Sequence, residues 1–351
     1  MSKTLKIGII GCGTIADIQA QAIIKSENAE LQSVFSRNIE KAKNYGEKYN
    51  AKWFDNWQNF ISNPDLDIVS ICTPNGNHLE YGEKAAEAGK HVIVEKPIEV
   101  TLQRANRLIE KCKTNNVKLS VIYQSLFVPE IQKLKQQIEN NEIGDIFMGD
   151  AYIKWFRDQG YYDNGVWRGT LKLDGGGVLI NQGIHTIDLL QWFMGDVDTI
   201  YGQTDISTHK NIEGEDNAVA VLRYKNGAVG VIEGSTSVQP AQSRRIELHG
   251  VKGSVIIDDN NVEVKIASQQ NSTAVEGSET KASGASSPLA GFSIEPHKNQ
   301  FEAIVDAINK NSTPPVSGEE SLKSLAIVLA IYESSRLNSV VNLDAFILEN
   351  P

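Results

Sequence analysis

Short apolar runs alternate with amphipathic stretches through the first third of the chain. Lys6 to Ile10, Leu31 to Ser36, Asp67 to Cys72, His91 to Glu95 and Lys118 to Ile122 have the length and apolar content of strands. Ile15 to Ser26, Asn77 to Ala88 and Thr101 to Asn115 read as helices. Strands that alternate with helices predict βαβ units, joined by right-handed crossovers into a doubly wound parallel sheet over residues 1–122.

After that the rhythm changes. Pro129 to Glu139 is an amphipathic helix, and the strands that follow are longer and need no helix between them. Asn217 to Tyr224, Gly227 to Ser235 and Arg244 to His249 are expected to be neighbouring antiparallel strands, with Lys225-Asn226-Gly227 as a hairpin turn. Residues 123–351 are therefore expected to form an α+β domain with a large, mainly antiparallel, open-faced sheet. Helices covering one face of such a sheet leave the other free, and the expected assembly is a homodimer or homotetramer through that face. Ala267 to Pro288, rich in Ser, Gly, Ala and Thr, reads as a loop. Two helices close the chain, His297 to Asn309 and then Gly318 to Arg336, where Leu322, Leu325, Ala326 and Leu329 recur at helical spacing.

Length agrees with two domains, since 351 residues exceed what one core usually supports. A net charge of −10 would repel nucleic acid and anionic membrane surfaces, so neither is expected as a partner. No run approaches the roughly 20 apolar residues of a membrane span. The chain enters an apolar strand by Leu5, which leaves no room for a signal peptide and makes the cytoplasm the expected compartment. The three cysteines, Cys12, Cys72 and Cys112, suit reduced thiols, with Cys12 and Cys72 filling strand ends. The six histidines show no ligand spacing, and no metal is expected.

The sharpest local signal is the first strand running into Gly11-x-Gly13-x-x-Ala16 and then a helix. Gly11 permits a tight turn, Gly13 lets the backbone approach a pyrophosphate, and Ala16 keeps the helix close to the strand. The helix begins with Thr14 and Ile15, so its free N–H groups and positive dipole end face the phosphates. This is the fingerprint of a Rossmann dinucleotide-binding domain. At the end of the second strand, Val34-Phe-Ser-Arg37 holds no Asp or Glu for the adenine ribose hydroxyls. Ser36 and Arg37 can instead bind a 2′-phosphate, which favours NADP over NAD; the other reading of Arg37 is a solvated side chain or one stacked on adenine.

Further along stand Cys72-Thr-Pro-Asn-Gly-Asn-His78, Val94-Glu-Lys-Pro97, Trp167-Arg-Gly-Thr170 and Gly175-Gly-Gly-x-x-x-Asn-Gln-Gly-Ile-His185-x-x-Asp188. With the glycine fingerprint, these closely resemble the Gfo/Idh/MocA oxidoreductases, named for glucose-fructose oxidoreductase, inositol dehydrogenase and a rhizopine catabolism protein. The resemblance covers nearly the whole chain. It implies cofactor contacts at Thr73, Pro74, Asn75, His78, Glu95 and Lys96, a catalytic Lys96 followed by a cis peptide to Pro97, and His185 as the second acid/base group. It also implies that Lys96 and His185 meet beside one nicotinamide.

Hydride leaves an alcohol carbon only as the hydroxyl proton is removed, so a base and a positive hydrogen-bond donor suit that place. A lysine in a desolvated or cationic setting titrates closer to neutrality, and a histidine does so unaided. Many family members carry Asp where this chain has Asn181, which shifts proton transfer onto Lys96 and His185 and resembles the family's nucleotide-sugar 3-dehydrogenases. Asp188 either orients the His185 imidazole or makes a salt bridge. Trp167 and Arg168 suit a sugar pocket, an indole packing on a pyranose face and a guanidinium gripping hydroxyls or a carboxylate; the alternative is a packed Trp and an exposed Arg. Tyr123 and Gln124 stand where relatives often precede an Arg-Phe pair, but here Ser125-Leu-Phe127 follows. Tyr123 is taken as a substrate contact together with Lys96, Trp167, Arg168, Asn181 and His185.

The expected activity is hydride transfer between a nicotinamide dinucleotide and a sugar, sugar derivative or cyclitol. Two other readings stand beside it. One is a non-catalytic dinucleotide sensor that binds a regulatory partner, which would not need both Lys96 and His185. The other is an enzyme that keeps its cofactor bound and oxidises then reduces its substrate in one visit.

Overall fold

The computed structural model describes residues 3–259, 261–267, 273–275 and 293–351, which divide into two compact units. Most of the segment expected to be a loop, Ala267 to Pro288, lies outside the described residues, and its described residues Thr273–Val275 form a short strand instead, paired antiparallel with residues 262–264.

The first unit opens with β1 (Leu5–Ile10), α1 (Thr14–Lys25), β2 (Ala29–Phe35), α2 (Ile39–Tyr49), β3 (Lys52–Phe54), α3 (Trp57–Ile61), β4 (Ile68–Ile71), α4 (His78–Glu87), β5 (His91–Val94), α5 (Leu102–Thr114) and β6 (Leu119–Val121). Its six strands pair in parallel in the order β3-β2-β1-β4-β5-β6, the doubly wound arrangement that the alternation predicts. Central strands are buried on both faces, so β4 reads Ile-Val-Ser-Ile with every residue enclosed. Helix starts follow local chemistry: Asn38 and Thr101 each accept the N–H of the residue three positions on, Lys41 and Arg104.

The second unit begins with α6 (Pro129–Glu139), β7 (Ile146–Lys154) and α7 (Gln159–Asp163). A wide π-type turn, Val178–Gly183, then runs straight into α8 (Ile184–Met194). The strands β8 (Val197–Asp205), β9 (Asn217–Tyr224), β10 (Val229–Ser235), β11 (Arg245–Gly250), β12 (Gly253–Asp258), β13 (Asn261–Ile266) and β14 (Thr273–Val275) follow. The β9–β10 hairpin turns at Gly227, whose φ is +89°, and its N–H donates to the Tyr224 carbonyl. The expectation that Arg244 to His249 would lie next to the strand before it is corrected: β7 sits between β10 and β11, parallel to β10 and antiparallel to β11. Insertion by a strand from earlier in the chain leaves no mark on the local pattern.

The chain closes with α9 (Glu295–Asn309), α10 (Gly318–Leu337), β15 (Val341–Asn342) and α11 (Leu343–Glu349). β15 completes a nine-stranded sheet, β14-β13-β12-β11-β7-β10-β9-β8-β15, antiparallel except for β7 against β10. The units do not divide linearly at residue 122. Residues 294–322 belong with the first, because Phe301, Ile304 and Val305 of α9 join Leu5, Ile7, Ala20 and Ile23 in one buried cluster. On β9 the alternation is strict: Val219 and Val221 are about half exposed (53% and 54%), while Ala218, Ala220 and Leu222 are buried.

Candidate functional site

In the first unit, β1 ends at Ile10 and the chain turns at Gly11 with φ +103°. A Cβ there would lie 2.7 Å from the Cys72 carbonyl oxygen, so the turn admits glycine alone. Gly13 is different. It caps α1 in an extended conformation (φ −99°, ψ −175°) with no side-chain hydrogen bond to the helix, and a Cβ would meet nothing within 4 Å. Ala16 is fully buried and holds α1 against the sheet. The result is an uncapped helix N-terminus behind an open glycine, with Thr14 exposed and Ile15 half-buried beside it. Such an end, with its free N–H groups and positive dipole, fits a pyrophosphate.

At the end of β2, Ser36 Oγ accepts the Asn38 N–H at 3.2 Å, and Arg37 is exposed. Among the described residues no ion pair engages Arg37. Thr73 and Pro74 are half-buried after β4, and Asn75 is buried.

Two residues expected to touch the cofactor turn inward. The fully buried His78 ring lies between the carbonyls of Pro97 (3.0 Å from Nδ1) and Thr73 (3.1 Å from Nε2), so it ties the β4 and β5 loops together. Glu95 is buried beneath α1. Its Oε1 accepts from Gln19 Nε2, and Gln19 Oε1 accepts from Ser70 Oγ. Burial raises the Glu95 pKa while the neighbouring Lys96 pulls it down. Both residues brace the cradle, because their polar atoms are already engaged with protein groups. Tyr123, expected at the substrate, is only 1% exposed and is a core residue whose N–H donates to Gln300 Oε1.

Lys96 stands apart from its surroundings. From Val92 to Val100 every residue is buried except Lys96, and the Lys96–Pro97 peptide is cis, as the family resemblance implies. The two cysteines nearby behave as packing groups: burial raises both thiols, Cys12 to about 11.

The second unit holds a comparable pattern. From Asp174 to Gln191 every residue is buried except Asn181 and His185, four positions apart where the π-type turn passes into α8. Wide turns of this kind recur at functional positions in helices. Asp174 ties this segment to the preceding loop: its Oδ1 accepts from Asn181 Nδ2 and its Oδ2 from the Gly169 N–H at 2.8 Å. In that loop Trp167 and Arg168 are half-buried. The Arg168 guanidinium lies 4.5 Å from the Tyr161 ring centre and 5.4 Å from that of Trp167, and Arg157 covers the Tyr161 ring at 5.1 Å. Cations over aromatic faces make a surface suited to a polyhydroxylated or anionic ligand.

One segment carries no sequence motif yet organises the loop. Glu213-Gly-Glu-Asp216 precedes β9, and its carboxylates accept backbone N–H groups. Glu213 takes Leu171, Glu215 takes Gly177 and Leu179, and Asp216 takes Ser207, Thr208 and His209. Burial pushes the Glu215 carboxyl up to about 7 against the pull of its donors. Asp216 ends below its ordinary range: burial opposes its charge, but the three N–H groups and His209 outweigh it. The one available sequence signal was three carboxylates within four residues just before a strand, a pattern that solvated acidic loops also produce.

Residues 5–123 match the family model described as an oxidoreductase family with an NAD-binding Rossmann fold, and residues 135–343 match that family's C-terminal alpha/beta domain. Oxidoreductase P35 of Formosa agariphila is 31% identical over 234 residues, 65% of this chain and 71% of that protein. Myo-inositol 2-dehydrogenase of Thermotoga maritima is 27% identical over 360 residues, 98% of this chain and all of the relative. Among solved structures, the WlbA dehydrogenase from Bordetella pertussis, in complex with NADH and UDP-GlcNAcA, is 29% identical. It superposes with a TM-score of 0.84 over 97% of this chain and 99% of its own.

Proposed function

The chain belongs to the Gfo/Idh/MocA oxidoreductase family, with its dinucleotide-binding Rossmann unit and alpha/beta partner, and on that premise we propose that it oxidises or reduces a hydroxyl-bearing carbon of a sugar, sugar derivative or cyclitol. Gly11, Gly13 and the first turn of α1 would hold the dinucleotide phosphates, and Ser36 with Arg37 the ribose end, with NADP preferred to NAD. When bound, the nicotinamide supplies a two-electron acceptor or donor. Lys96 and His185 take the hydroxyl proton during oxidation and return it during reduction, while Asn181, which cannot exchange a proton, orients a hydroxyl.

One observation carries this reading. In two otherwise buried stretches, Val92 to Val100 and Asp174 to Gln191, the residues that keep exposure are Lys96, Asn181 and His185. Polar side chains left reachable within a buried segment are available to a ligand in a way that a core residue is not. The half-buried Trp167 and Arg168 beside Tyr161 support a substrate with a sugar ring and an acidic or phosphate group. That WlbA from Bordetella pertussis is described with UDP-GlcNAcA makes nucleotide-linked uronates worth including.

The open sheet face, where Val219, Val221, Met148 and Tyr201 are exposed, supports self-association as a homodimer or homotetramer. No helix of the described residues is long and apolar enough to cross a membrane, and the proposed setting is the cytoplasm.

The test is a substrate panel of hexoses, uronates, nucleotide sugars, inositols and anhydrosugars, with NADP⁺ and NAD⁺ in parallel, followed at the nicotinamide absorbance band. Turnover of at least one class is expected. Tight dinucleotide binding with no turnover across the panel would refute the sugar-oxidoreductase reading in favour of a sensor.

A further inference from the structure

We propose that Glu215 is a positioning residue whose buried carboxylate fixes the start of the helix that carries Asn181 and His185. The proposal rests on the reading above, in which those two side chains meet the substrate. Three consecutive N–H groups at the entry to the π-type turn are taken by this one residue. Gly177 donates to Oε2 at 2.8 Å, Val178 to the Glu215 carbonyl at 2.9 Å, and Leu179 to Oε1 at 2.8 Å. The first N–H groups of a helix have no partner within it, so whatever accepts them determines where the helix begins and how it points.

Helices usually supply that acceptor from the residue just before them. Here the preceding residue, Gly177, makes no side-chain cap, and the acceptor comes from a separate segment. The approach is close. A Cβ on Gly177 would fall 1.7 Å from the Glu215 carbonyl oxygen, so the two backbones touch. Tyr332 of α10 donates its hydroxyl to Oε1 at 2.9 Å.

Among the described residues no Lys, Arg or His forms an ion pair with Glu215. Its charge is met by N–H and O–H donors and by the positive end of the helix it caps. Its own place is set from the other side, because Asp216 is anchored by three N–H groups and Asn217 opens β9. The sheet thereby sets the position of Asn181 and His185 through one carboxylate. Aspartate is too short to span the same donors, and glutamine would place an NH₂ against the Gly177 N–H.

The test compares E215Q and Y332F with the wild type at about pH 8.5, above the value to which burial raises the carboxyl. Hydrogen exchange is followed in the peptide spanning residues 176–186, the His185 ring signal is followed by NMR in histidine-labelled protein, and dinucleotide affinity and steady-state kinetics are measured. E215Q is expected to speed exchange in that peptide about tenfold or more and to shift the His185 signal. It should lower kcat about tenfold or more while dinucleotide affinity stays within about twofold. Y332F, which removes one donor and leaves the carboxylate, should do the same to a smaller degree, and it decides the matter if E215Q does not fold. Unchanged exchange and an unchanged His185 signal would overturn the proposal, as would losses matched by equal changes throughout the second unit. If the wild type turns over no sugar but exchange and the His185 signal change as stated, the sugar-oxidoreductase reading fails and the positioning role stands.

Discussion

Adding a methyl group at each of the two fingerprint glycines should separate folding from binding. In Gly11→Ala the new Cβ meets the Cys72 carbonyl oxygen at 2.7 Å, and the residue must hold φ +103°. The dihedral alone costs on the order of 1–3 kcal/mol, and contact with a backbone atom that cannot swing away adds to it. In Gly13→Ala the backbone is extended and the methyl enters open space, with nothing within 4 Å. Removing glycine's freedom in the unfolded chain should then leave stability unchanged or raised by up to about 1 kcal/mol. If a pyrophosphate lies against Gly13, the methyl displaces it from the α1 N–H groups. Losing one hydrogen bond to a charged group costs about 1.5–3 kcal/mol, or roughly ten- to a hundredfold in affinity. Thermal unfolding and a fluorescence titration with NADPH on both variants measure the two effects. A Gly13→Ala protein that melts like the wild type and binds NADPH equally well would refute the cradle, because no other role for that glycine is visible in its surroundings.

Lys96→Ala should still bind dinucleotide but lose kcat by about 10²–10⁴, the usual range for a general acid/base group; an unaltered kcat removes Lys96 from the chemistry. Wild-type protein should bind NADP⁺ more tightly than NAD⁺, and Arg37→Glu should reverse the order through loss of a charge-assisted contact of about 1.5–3 kcal/mol. Equal wild-type affinities by calorimetry would defeat that assignment. Asp216, whose pKa is depressed from 3.8, stabilises the fold above that value, and its contribution should fade as pH falls below about 4 toward its folded-state pKa. Asp216→Asn should cost about 1–3 kcal/mol near neutrality, and urea midpoints from pH 7 to pH 3 should fall less steeply than in the wild type. Parallel curves would show that the charge is not the stabilising feature.

The first unit was largely legible in the residue pattern. Strands buried on both faces leave continuous apolar runs, and the glycines at 11 and 13 have a fixed relation to the first strand and helix. Position along the chain was easier to read than side-chain direction. His78 and Glu95 lie in the expected loops, yet each spends its polar atoms on neighbouring protein groups. Tyr123 sits beside Gln300 of a helix that is far away in sequence. The place of β7 beside β10 and the return of α9 to the first unit depend on packing between distant segments, for which local periodicity holds no information. The Glu213–Asp216 segment was missed for a related reason: its carboxylates bind main-chain N–H groups, which every residue type except proline presents alike.

The return of α9 has a consequence for how the molecule is made. A gene fragment ending at residue 122 would encode the whole six-stranded sheet, yet it would leave a greasy gap where Phe301, Ile304 and Val305 belong. During synthesis the dinucleotide unit must wait with that gap uncovered until residues 294–322 leave the ribosome, after most of the second unit has emerged. Fragments meant to bind the cofactor in isolation should therefore splice 294–322 onto the N-terminal part, and chaperone dependence should centre on nascent chains that stop short of residue 294.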